Sequence, residues 1–98
     1  MIEQSFIVVH RREGYEKVYQ MGTDLMKAIC FQKAVMASDV VTDEMLSIVK
    51  SMIKQEEIDT VLKNLNALGR DRVHNSEEEE AYIIAFPAYD PYRKTHKQ

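Results

Sequence analysis

Cysteine occurs once in the 98 residues, at Cys30, so no disulfide can form within the chain and no oxidising compartment is needed. Glycine is scarce, at Gly14, Gly22 and Gly69 only. Each is isolated, and none stands in a GxGxxG or GxxxxGK arrangement, so the backbone cradles by which such loops hold nucleotide phosphates are excluded. No apolar run approaches the ~18 residues that a membrane span requires. Met1 to Val9 carries Glu3 and has neither the basic nor the apolar region of a secretory signal. The expectation is a cytoplasmic chain with no membrane partner. Positive charge is also short: 13 Lys and Arg stand against 16 Asp and Glu, for a net charge of −3 and a pI near 5.6. No global field draws the chain to a phosphate backbone or an anionic bilayer.

What is present fits one folded unit. Apolar residues make up 45% of the chain and charged residues 30%, the balance of an ordinary globular domain. Residues 1–87 read as a single domain. Residues 88–98 contain Pro91, Tyr89 and Tyr92 with Arg93, Lys94, His96 and Lys97, and read as a basic, mobile tail.

Ser5 to His10 is rich in β-branched and aromatic residues and runs into Arg11-Arg12-Glu13-Gly14, which predicts a strand and a turn. Tyr15 to Met21 fits either period; with turn-forming Gly14 before it and Gly22 after it, a hairpin partner is the better reading. Thr23 and Asp24 are N-cap residues for a helix from Leu25 to Ala37 that is apolar almost all round, broken only by Lys27, Gln32 and Lys33. A helix of that kind is covered on several sides. In so small a domain that means either a central core helix or one whose second face is buried by another chain, met by Phe31, Val35 and Met36.

Thr42 caps a second helix carrying Met45, Leu46, Val49, Met52 and Ile53, and a third stripe follows at Ile58, Val61, Leu62, Leu65 and Leu68. At 100° per residue the two stripes point to opposite sides of one straight helix, so a break is expected near Lys54-Gln55-Glu56. Gly69 suits the position just past the third helix. After the charged stretch Arg70 to Glu80, Ala81 to Phe86 reads as a strand ended by Pro87. The fold class that follows is α+β: a three-helix core with a small antiparallel sheet formed by the N- and C-terminal strands. Phe6, Val8, Met26, Ile29, Val49, Ile53, Val61, Leu62, Leu65, Leu68 and Ile84 form its predicted core.

Site chemistry is sparse. His10, His74 and His96 show no i, i+4 or CxxC-type spacing, so no metal site is expected. Cys30 sits in the most apolar segment, where a thiol serves as a small inert hydrophobe. The run Glu77 to Glu80 lacks the alternating ligands and turn glycine of a calcium loop and reads as a solvated stretch. No catalytic, cofactor-binding or metal-binding residues are assigned.

The helix Val61 to Leu68, Gly69, and a β-wing with Val73-His74 outbound, Asn75 to Glu79 at the tip and Tyr82 to Phe86 returning together resemble the end of a winged helix-turn-helix domain. That resemblance implies a nucleic-acid-binding regulator. Charge argues against it: residues 43–60 hold two lysines against five acids, residues 70–80 two arginines against five acids, and the wing tip runs into four glutamates, Glu77 to Glu80. The favoured expectation is a non-enzymatic protein-interaction module, a regulator, adaptor or inhibitor, acting as a homodimer or docked on a larger partner. Its contact residues are expected to be Phe31, Val35 and Met36, with Tyr89, Tyr92 and Arg93 of the tail. A small enzyme using His10 or Cys30 in a dimer cleft is the remaining alternative.

Overall fold

In the computed structural model, residues 4–38, 40–75 and 78–86 are described. Strands β1 (Ser5–Arg12) and β2 (Tyr15–Gly22) form a hairpin whose two-residue turn ends on Gly14, at φ 67. Helix α1 (Leu25–Ala37) starts where the Asp24 carboxylate accepts the Lys27 N–H at 3.0 Å. Helix α2 (Asp43–Met52) starts on Thr42, whose hydroxyl accepts the Met45 N–H at 3.2 Å. Ile53 and Lys54 are extended, and helix α3 (Gln55–Leu68) begins with the Glu57 carboxylate reaching back to the Lys54 N–H at 3.0 Å. The break between the two helices thus falls at the front edge of the segment where the opposed stripes demanded one. Gly69, at φ 78, closes α3 and turns the chain into β3 (Arg70–His74), which pairs with β4 (Glu80–Phe86).

The four strands form one antiparallel sheet in the order β2-β1-β4-β3, so two hairpins meet along their inner strands. Phe6 and Val8 of β1 and Ala81, Ile83 and Ala85 of β4 point to one face. There they pack with Ala28 and Ile29 of α1 and Val61 and Leu65 of α3. α1 lies across β1, β4 and part of β2, α3 lies over β3, and α2 packs on α1.

Within the chain α2 covers a second side of α1, as a central core helix requires: Val35 is 1% exposed, and half-buried Phe31 packs on Tyr19 with ring centroids 4.6 Å apart. Met36 is half-buried too. Val35 therefore has no surface to offer a partner. Five members of the predicted core lie outside the cluster; two of them, Met26 of α1 and Val49 of α2, are half-buried. Leu62 and Leu68 are 42% and 70% exposed, because α3 sits over an edge strand that covers only the narrow stripe of Ile58, Val61 and Leu65. Ile84 alternates to the far face of the sheet, opposite Ile7.

Helix α3 is followed by the β3–β4 hairpin, with β4 held between β1 and β3 inside the sheet. Tyr89, Tyr92 and Arg93 lie outside the described residues.

Candidate functional site: a polar cleft and an open sheet face

The buried face of α1 contains one polar side chain, Gln32, which is 1% exposed. A buried amide has to find partners, and it finds them on β3 and β4. Its Nε2 donates toward the Asp71 backbone oxygen at 3.2 Å, Asp71 Oδ2 at 3.1 Å and the Ala81 carbonyl at 3.1 Å. Two protons serve three acceptors, so one is shared. From α3, Asn64 Nδ2 donates to Asp71 Oδ1 at 2.6 Å. Asp71 is 5% exposed and turned toward the helices, with one amide donor on each carboxylate oxygen.

These groups floor a cleft of about 330 Å³ between α1, α3 and β3, with Lys33, Thr60 and Val73 on its walls. The two cations beside it are committed elsewhere. Lys33 Nζ lies 3.1 Å from Glu57 Oε2 at the rim, and Arg72 points to the other face of the sheet, where its Nε donates to Glu80 Oε1 at 2.6 Å. Among the described residues no cation lies within salt-bridge distance of Asp71. The Lys54 backbone N–H, followed by the Lys33 ammonium, holds the Glu57 carboxyl below its ordinary range. The hydrogen bond from Arg72 does the same for Glu80.

The far face of the sheet has no described element on it. The register brings Ile7 and Val9 of β1 beside Val18 of β2 and Tyr82 and Ile84 of β4, an apolar stripe across three strands. Val9 is buried between Val18 and Tyr82, while Val18 stands 52% exposed. The border is charged and internally paired: Arg11 lies 3.4 Å from Glu16 and 3.4 Å from Glu80, and the Arg70 guanidinium sits 5.3 Å over the Tyr82 ring.

His10 and Cys30 are both buried, at 1% and 2% exposed, and among the described residues no hydrogen bond joins Cys30 to a histidine. Burial pushes the Cys30 thiol up, which keeps it protonated. His10 Nε2 lies 2.6 Å from Glu79 Oε2, and the Tyr15 ring meets the imidazole edge-on at 5.6 Å. Among the described residues its buried Nδ1 has no hydrogen-bond partner. Among the described residues, no group of three His, Cys, Asp or Glu side chains is placed to hold a metal ion, and no helix is long and apolar enough to cross a membrane.

Sequence reasoning passed over Gln32, Asn64 and Asp71. One signal was there: Gln32 is the only uncharged polar residue inside an otherwise apolar helix, and it needs a buried partner. Comparison of the chain with protein-family models, curated proteins and solved structures finds no match to any of them.

Proposed function

We propose that the chain is a non-enzymatic protein-interaction module that self-associates through the open face of its sheet. The observation that carries this reading is the stripe of Ile7, Val9, Val18, Tyr82 and Ile84 on a face with no described element over it. A face four strands wide and seven cross-strand pairs long measures roughly 19 Å by 23 Å at ordinary strand spacing and rise. Two such faces closed about a two-fold axis cover on the order of 900 Å², the size of a weak, transient interface. Tyr82 with Arg70 stacked on it is the residue pairing that interfaces favour. Arg11 and Arg72 bring their own counter-ions, Glu16 and Glu80, so closing the faces traps no unpaired charge at those positions.

An interface of this size predicts a dimer held in the micromolar range. Sedimentation equilibrium at concentrations from about 1 to about 300 µM tests it, because mass action must shift the average mass upward across that range. Val18→Glu places a charge in the stripe at a side chain that is 52% exposed in the monomer. The variant is expected to stay monomeric with an unchanged circular dichroism spectrum. A wild-type chain that remains monomeric throughout overturns the reading.

A further inference from the structure

We infer that the cleft between α1, α3 and β3 is a receptor for a guanidinium group, and specifically for an arginine side chain presented by a partner protein. The cleft lies on the helix side of the sheet and shares no residue with the open-face stripe. A carboxylate as buried as Asp71 is costly unless it is paired, and the described chain gives it two neutral amides and no cation. The nearby cations do not supply one, since Lys33 is held by Glu57 and Arg72 leaves toward the opposite face of the sheet.

The floor of the cleft is also short of donors. Gln32 spends its amide protons on Asp71 and Ala81, and Asn64 spends one on Asp71, while Gln32 Oε1 and Asn64 Oδ1 accept no hydrogen bond among the described residues. Both residues line the cleft. The site therefore offers a carboxylate with spare lone pairs and two amide oxygens, and asks for a flat cation with several N–H donors. A guanidinium has five in a fixed fork, whereas an ammonium is a compact point charge with three. A volume of about 330 Å³ admits an arginine head and part of its stem, and Val73 with the stem of Lys33 provides apolar wall for the methylenes. The net charge of −3 favours the approach of a basic partner.

The test uses the wild-type chain and follows the side-chain amide resonances of Gln32 and Asn64 by NMR. Three short peptides differ at one central residue: arginine, lysine, or citrulline, which keeps the arginine shape without the charge. Only the arginine peptide is expected to produce saturable shifts at both amides, at least about tenfold tighter than the other two. Equal response to lysine overturns the guanidinium assignment. Equal response to citrulline removes the role of Asp71, and no saturable shift with any peptide rejects the cleft as a site. Asp71→Asn keeps the size of the side chain and is expected to abolish the arginine preference. If that variant does not fold, the citrulline comparison in the wild type stands without it. Free arginine amide serves as a further arm: saturation by the amino acid as tight as by the peptide makes the ligand a small molecule and contradicts a protein partner. Val18→Glu leaves the cleft untouched, so arginine binding is expected to survive in it unchanged.

Discussion

The two faces of the sheet are built from alternate residues of the same strands, yet they follow different rules. On the covered face β4 presents Ala81, Ile83 and Ala85, all at or below 1% exposed, and the two alanines leave room for α1 to approach closely. Polar groups on that side are few, and most are answered within the fold: Asp71 by two amides, Gln32 by three oxygens, His10 by Glu79 through one of its two nitrogens. On the open face Ile7, Val9, Tyr82 and Ile84 form an apolar centre, and the charges stand at its edge as ion pairs between strands. The covered face supplies stability. The open one carries an apolar stripe over which no described element packs.

Truncation at adjacent positions of β4 should expose that contrast most strongly. Ile83→Ala removes a side chain that is 0% exposed and is expected to cost about 2 to 5 kcal/mol in urea unfolding of the monomer. Ile84→Ala, one residue on and facing outward, should cost less than half as much in the monomer while weakening self-association. Equal losses would mean that the two faces are equally packed.

The polar network ranks next. Gln32→Leu leaves the Ala81 carbonyl and two Asp71 oxygens, the backbone oxygen and Oδ2, without this donor in a buried place, an expected loss of about 1 to 3 kcal/mol by the same measurement. A neutral result would show that the amide can be replaced by packing alone.

How far such positions are legible in a sequence depends on what makes each residue adopt its place. The first hairpin is written locally: Phe6 and Val8 alternate inward and Gly14 supplies the turn. The caps at Asp24 and Thr42 and the stop at Gly69 are local too, and each lies where its chemistry predicts. β3 is different. Three of its five residues are charged, so it reads as part of a charged stretch, and it is a strand because its backbone pairs along β4. Asp71 reads as a surface residue for the same reason, and only the amides of Gln32 and Asn64, 39 and 7 residues away, allow it inside. Leu62 and Leu68 fail in the opposite direction: periodicity marks them as core, but how much of α3 is covered depends on the width of the sheet beneath it. The cleft and the open face both arise from pairings between distant segments, which no local pattern encodes.

Acid should act on both sides alike, and more mildly. Glu57, held down by the Lys54 N–H and then Lys33, and Glu80, held down by Arg72, both have folded-state values below their unfolded ones. Their contribution to stability is therefore present above the ordinary carboxylate range and is lost as pH falls through it. Glu57→Gln and Glu80→Gln should melt below the wild type at neutral pH and converge with it in acid. A gap that persists or widens on acidification would contradict the assignment. The smallest effect is expected at Leu68, 70% exposed, where Leu68→Ser should change monomer stability by no more than about 0.5 kcal/mol.

The most direct test of the two-face account is a dilution series followed by methyl NMR. If the open face joins two copies, the methyl resonances of Ile7, Val9, Val18 and Ile84 shift together as the chain is concentrated. Those of Ile29, Val61 and Ile83, beneath the helices, stay where they are. Shifts confined instead to Ile48 and Met52 of α2, the exposed apolar residues on the opposite side of the molecule, or no concentration dependence at all, would contradict it.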